Sequence, residues 1–159
     1  VLWTREVITR RRAGFAEQAD LLDDVFARYR VLRCCMDQTG MGEKPVEDAQ
    51  RAHGTNRVEG VVFNTSSKLS LATIGKEAFE DKKIRIPKGD TALRNDLHKL
   101  QKVTSPTGAP RFVAESDVNG HADRTWGCFL ALNAAHGDVG EIRVTSRQPR
   151  AGRNLTNGY

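Results

Sequence analysis

The sequence predicts an α/β domain in which helices pack on a mixed β-sheet. Short apolar strands alternate with amphipathic helices, residues 31–36 form a mostly apolar run, and a hairpin signal comes only late in the chain. An apolar run of that kind, set between a helix and a glycine turn, reads as a strand covered on both faces in a parallel or mixed sheet. The chain has 159 residues and a mass of 17.6 kDa, which fits one domain. A chain of this size buries about 70% of its unfolded surface, so it needs neither disulfides nor structural zinc to hold together.

Residues 1–9 read as an amphipathic strand, with Leu2, Val7 and Ile8 as its apolar positions. A strand pattern that starts at the first residue, with no initiator methionine, suggests a cut inside a larger protein. From Phe15 to Arg30 the residues Phe15, Ala19, Leu22, Val25, Phe26 and Tyr29 recur at helical spacing. After the strand at 31–36, residues 37–42 form a loop, and Pro45 suits the first turn of a helix reaching about His53. Val58 to Phe63 is the next strand, Ser67 to Asp81 a helix, and Ile84 to Ile86 a strand stub. Residues 90–99 form a further helix with Leu93, Leu97 and Leu100 on one face. Gln101 to Ala114, interrupted by Ser105-Pro106-Thr107-Gly108, reads as a hairpin, and His121 to His136 as the last helix. Residues 1–137 thus make the domain, and 138–159, with Arg143, Arg147, Arg150 and Arg153, a basic and flexible tail.

Charge and cysteine usage narrow the function classes. A net charge of +5 favours a polyanionic partner. Cys34 and Cys35 are adjacent and Cys128 is distant, so the three suit neither a disulfide framework nor a thiolate zinc site, and small core positions are their simplest use. No apolar stretch approaches the ~18 residues of a membrane span, and the first residues lack the order of a signal peptide, so a cytosolic chain is expected. A Gly-x4-Gly-Lys-Ser/Thr loop, a Gly-x-Ser-x-Gly elbow and a His-Glu-x-x-His motif are all absent from the sequence.

Two acids stand out by position. Asp37 ends the apolar strand just before Gly40-Met41-Gly42, at the sheet edge where open α/β folds bind ligands. Gly40 and Gly42 allow positive φ and let backbone N–H groups approach an anion. The competing reading makes Asp37 the acceptor of an Asx-turn. Asp123 opens the last helix, and Trp126, Gly127, Leu130 and Ala134 follow it on what looks like one apolar face. That face implies an inward carboxylate, which wants a cation; the alternative is an acid in a first turn, favoured there by the helix dipole. Carboxylates from a strand end and a helix start suit hard divalent ions, Mg²⁺ or Mn²⁺, which bridge substrate phosphates in phosphodiester cleavage. His121 is a candidate metal ligand or a cap. Lys68, Arg124 and the run Arg10-Arg11-Arg12 are candidate phosphate contacts or solvated charges.

The run Cys35-Met36-Asp37-Gln38-Thr39-Gly40-Met41-Gly42, then a short helix, then Val58-Glu59-Gly60-Val61-Val62-Phe63 resembles the nuclease domain of phage terminase large subunits. His121-Ala122-Asp123-Arg124-Thr125-Trp126 before an Ala/Leu helix is similar to that family's final acidic motif, and Ile84-Arg85-Ile86-Pro87 also fits. The likeness spans roughly residues 1–137 and is nearest to the terminases of Mu-like phages and prophages. It implies an RNase H-like fold, a central mixed β-sheet flanked by helices, and Mg²⁺- or Mn²⁺-dependent cutting of double-stranded DNA in the host cytoplasm. It further implies an ATPase domain in the parent protein and partnership with a portal and a small terminase subunit. Asp37 would correspond to the family's second acid and Asp123 to its third. The first acid, on the family's first strand, has no counterpart here, since Glu6 falls on a different strand. The chain is therefore expected to be an incomplete and weakly active or inactive nuclease. A resolvase- or transposase-type core, a non-catalytic DNA- or portal-binding module, and a domain whose acids serve only turns and caps are the alternatives.

Overall fold

The computed structural model describes residues 1–106, 108, 110–114 and 122–137. Its elements follow the order β1 (Leu2–Trp3), α1 (Phe15–Arg28), β2 (Cys34–Asp37), α2 (Glu43–His53), β3 (Val58–Val61), α3 (Thr65–Glu80), β4 (Ile84–Arg85), α4 (Thr91–Lys99), β5 (Leu100–Thr104), β6 (Pro110–Ala114) and α5 (Asp123–His136). The strands pair as β1 with β4 and β2 with β3, both parallel, and as the antiparallel hairpin β5–β6. The mixed sheet is thus present as separate strand pairs. Among the described residues, β1 and β2 each keep one edge without a partner strand.

The core forms where α3 and α5 cross. Leu71, Ala72 and Ala78 from α3 meet Trp126, Phe129, Leu130 and Leu132 from α5, with Ile84 of β4 beneath them. The two helices approach closely because α3 presents Gly75 to α5: a Cβ there would lie 2.2 Å from the Phe129 ring. Their ends are fixed locally. Asn64 and Ser67 form a reciprocal capping box at the start of α3, with N···O distances of 2.8 and 2.9 Å. Asp90 caps α4 through the Leu93 N–H at 2.8 Å, and Gly54 ends α2 at a φ of 95°.

The strand expected over 1–9 shortens to Leu2–Trp3, because a strand forms only where an edge accepts it. Lys83 and Arg85 of the β4 region accept from the Leu2 and Thr4 N–H groups at 2.7 and 2.9 Å, and nothing continues the ladder. Helix α1 appears almost where its periodicity places it, yet it contains no buried residue. It is tied to α2 by Phe26 stacked on His53 at 3.8 Å and by His53 Nε2 2.7 Å from Asp23 Oδ1. Val25, with Tyr29 just past the helix end, borders a groove of about 800 Å³ whose other walls come mainly from residues 2–10 and α5. Strand β2, expected to be covered on both sides, is only half-buried for the same reason: one edge lacks a neighbour. No helix among the described residues is long and apolar enough to cross a membrane. The expected basic tail, 138–159, lies outside the described residues.

Candidate active site

Asp37 closes β2, and its surroundings are built by the residues just after it. Thr39 donates its N–H to Asp37 Oδ1 at 2.8 Å, and the Thr39 hydroxyl oxygen accepts the Phe63 N–H at 2.8 Å. Gln38 N–H reaches the Val61 carbonyl at 2.9 Å. The loop is thereby stitched to the end of β3, and the exposed Asp37 carboxylate is held at the strand tip with Oδ1 already hydrogen-bonded. The Asx-turn and the placement at the sheet edge are both present. The two loop glycines divide their work differently from the sequence expectation. Gly40 has a φ of 57°, as anticipated, whereas Gly42 is right-handed at −71° and is glycine because a Cβ would lie 2.3 Å from the Asp37 carbonyl oxygen. Its N–H is also spent on the Thr39 carbonyl at 3.0 Å, so it is not an open anion donor.

Helix α5 runs back along β2. Near its end, Asn133 places Nδ2 3.5 Å from Cys35 Sγ and accepts from Arg33 at 3.2 Å. Near its start, the Trp126 ring lies 5.6 Å from the ring of Phe63, just past the end of β3. At about 1.5 Å per helical residue and about 3.3 Å per strand residue, Asp123 comes level with the loop that follows Asp37. Along its axis, the start of α5 therefore lies near the level of the loop at the carboxyl end of β2.

The inward orientation expected for Asp123 is not observed: its side chain is exposed. The buried arc of α5 runs through Thr125, Phe129 and Leu132 as well as Trp126 and Leu130. With 100° per residue, about, the centre of that arc lies a quarter-turn or more from Asp123. Gly127, counted with the inward face, is exposed as well. Asp123 instead opens onto the groove beside residues 2–10.

The first turn of α5 is pinned from both sides of Asp123. Preceding it, Ala122 is buried in the left-handed region at a φ of 59°, strained backbone that its neighbours must hold. Following it, Arg124 Nη1 sits 3.1 Å from Asp96 Oδ2 on α4, and Lys99 Nζ 3.1 Å from Asp96 Oδ1. Asp96 is 3% exposed, so this is a buried anion carrying two cations. Arg124 thus spends its Nη1 on Asp96 of the fold. Asp96 was missed by sequence reasoning, although it stands on the Leu93–Leu97–Leu100 stripe, where an acid should raise the question of a buried partner.

The remaining candidates are scattered. Lys68, in the first turn of α3, places its ammonium over the Phe63 and Trp126 rings. Arg10, 3.9 Å from Glu17, lies with Arg11 and Arg12 in an exposed run ahead of α1. His121 lies outside the described residues. The cysteines are free and half-buried; burial pushes the Cys34 and Cys128 thiols up to about 11, so neither is a ready nucleophile at neutral pH.

A parallel strand pair ending in a carboxylate, with a returning helix that begins in another, fits an RNase H-like α/β domain. The family model of the terminase RNase H-like domain matches residues 1–135, and the chain belongs to that family. Among solved structures, it is similar to the large terminase nuclease from thermophilic phage G20c with bound magnesium, at 19% identity and a TM-score of 0.63. The same nuclease with bound cobalt gives 21% identity and a TM-score of 0.62. In both comparisons the match covers 76% of this chain and 62% of the other, so this chain spans less than two thirds of those nucleases. A comparison with curated protein sequences returns no match.

Proposed function

We propose that this chain is the nuclease domain of a phage DNA-packaging terminase large subunit, hydrolysing phosphodiester bonds of double-stranded DNA with Mg²⁺ or Mn²⁺. The reading is supported by Asp37 at the end of β2 and Asp123 at the start of α5, the helix that packs along β2, in a chain of the terminase RNase H-like family. Both are exposed carboxylates, the hard oxygen donors that such ions take, and both stand on backbone anchored by neighbours. A bound pair of ions would activate water and stabilise the leaving oxygen. The residues of this chain hold the donors in place: Thr39 restrains Asp37 through its N–H, and the Arg124–Asp96 pair restrains the turn that carries Asp123. In the parent protein, an ATPase domain, the portal and the small terminase subunit are the expected partners, and the host cytoplasm the setting.

The metal centre takes at least one further donor from outside the described residues. No cluster of three or more His, Cys, Asp or Glu occurs among the described residues, which leaves Asp37 and Asp123 short of a full donor set. The groove that Asp123 faces is bordered by an extended segment without ladder partners and by half-exposed Val7, Ile8 and Tyr29. A further strand laid there would cover that apolar surface and bring a third acid toward Asp123. Plasmid cleavage in Mn²⁺ tests this. The parent protein is expected to cut, with the 159-residue chain slower by about 10²-fold or more, since a donor is missing. Cleavage by the short chain at the parent's rate, lost on Asp37→Ala, would show that its own residues suffice.

A further inference from the structure

Lys44, Lys76, Lys83 and Lys99 each rest on a carboxylate. Lys68 does not. Its ammonium nitrogen lies 5.5 Å from the centre of the Phe63 ring and 5.2 Å from that of Trp126, and among the described residues no acid pairs with it. Aromatic faces attract a cation and fix its position without neutralising its charge, so the site keeps a full positive charge for an external anion. The two rings also connect that charge to both acids. Phe63 donates its N–H to Thr39, whose own N–H holds Asp37, and Trp126 lies one helical turn beyond Asp123.

We infer that Lys68, seated on Phe63 and Trp126, is a phosphate-binding residue that grips a DNA backbone oxyanion next to the one presented to Asp37 and Asp123. This rests on the nuclease reading above and adds to it a specific substrate contact. The ring platform sets where the phosphate sits, and it couples that position to the two elements that carry the acids. A lysine free to swing in solvent would bind phosphate without register; one held between these rings binds it at a fixed offset from the metal ligands.

The test is duplex binding by the 159-residue chain, read by fluorescence anisotropy across a KCl series. Lys68→Gln is expected to lower the slope of log K against log salt by about 1, the loss of one phosphate contact. Lys68→Arg should keep the slope, because a guanidinium also rides on aromatic faces. Lys76→Gln, on the same helix but paired with Glu80, should leave it unchanged. A Lys68→Gln slope equal to that of the unaltered chain, or an equal fall in Lys76→Gln, overturns the inference. Failure of the nuclease reading is separately visible: the parent protein would then bind duplex without cutting it.

Discussion

Replacing Asp37 or Asp123 by Asn in the parent protein is expected to lower duplex cleavage by about 10³-fold or more, while DNA affinity stays the same or rises. Asparagine keeps the size of the side chain and the hydrogen bond from the Thr39 N–H, but removes the charge that a hard cation needs. Removing a negative charge from a surface that meets phosphate also lessens repulsion, so binding should not suffer. A purely structural role for Asp37, as the acceptor of its own loop, predicts a different result: the amide would serve as well, and cleavage would persist. Paired cleavage and anisotropy assays on each variant separate the two. A non-catalytic DNA-binding module predicts indifference to both substitutions.

The second large effect belongs to Asp96. Changing it to Ala leaves Arg124 and Lys99 without their shared anion in a site where the acid is 3% exposed. Breaking a buried pair from one side costs about 3–5 kcal/mol, and the partial exposure of the two cations here reduces that to roughly 2–3 kcal/mol. For a domain of this size the melting temperature should fall by roughly 5–10 °C. Because Arg124 adjoins Asp123, the same variant should also weaken Mn²⁺ binding at temperatures well below the transition. The double variant Asp96→Ala, Arg124→Ala should recover part of the stability, since only one of the two cations, Lys99, then loses the Asp96 anion. A melting curve indistinguishable from that of the unaltered protein would mean that the pair carries no structural load.

Local pattern made much of this architecture readable in the sequence, and long-range pairing made the rest unreadable. Helices α2 to α5 and the hairpin appear close to where periodicity and turn residues place them, because those signals act over a few residues. The first nine residues alternate as a strand should, yet only Leu2 and Trp3 become one, because pairing depends on an edge supplied by another part of the chain. The position of Asp37 was legible from an apolar run followed by a glycine loop. The orientation of Asp123 was not: Trp126 and Leu130 suggested an inward face, but Thr125 and Leu132 shift the buried arc past it. The Asp96 pairing of Arg124 was not legible, because that partner lies 28 residues away on another helix. Asp96 itself was a missed signal, an acid set among the leucines of an amphipathic face. The aromatic seat of Lys68 needed Phe63 and Trp126 to meet, which is a property of the fold and not of either segment.

The most direct measurement is the anomalous scattering of Mn²⁺ in crystals of the parent nuclease domain. Manganese is expected within about 2.2 Å of carboxylate oxygens from both Asp37 and Asp123, as one shared ion or as two about 3.5–4 Å apart. Manganese bound elsewhere, or to only one of these acids with the other turned away, would contradict it.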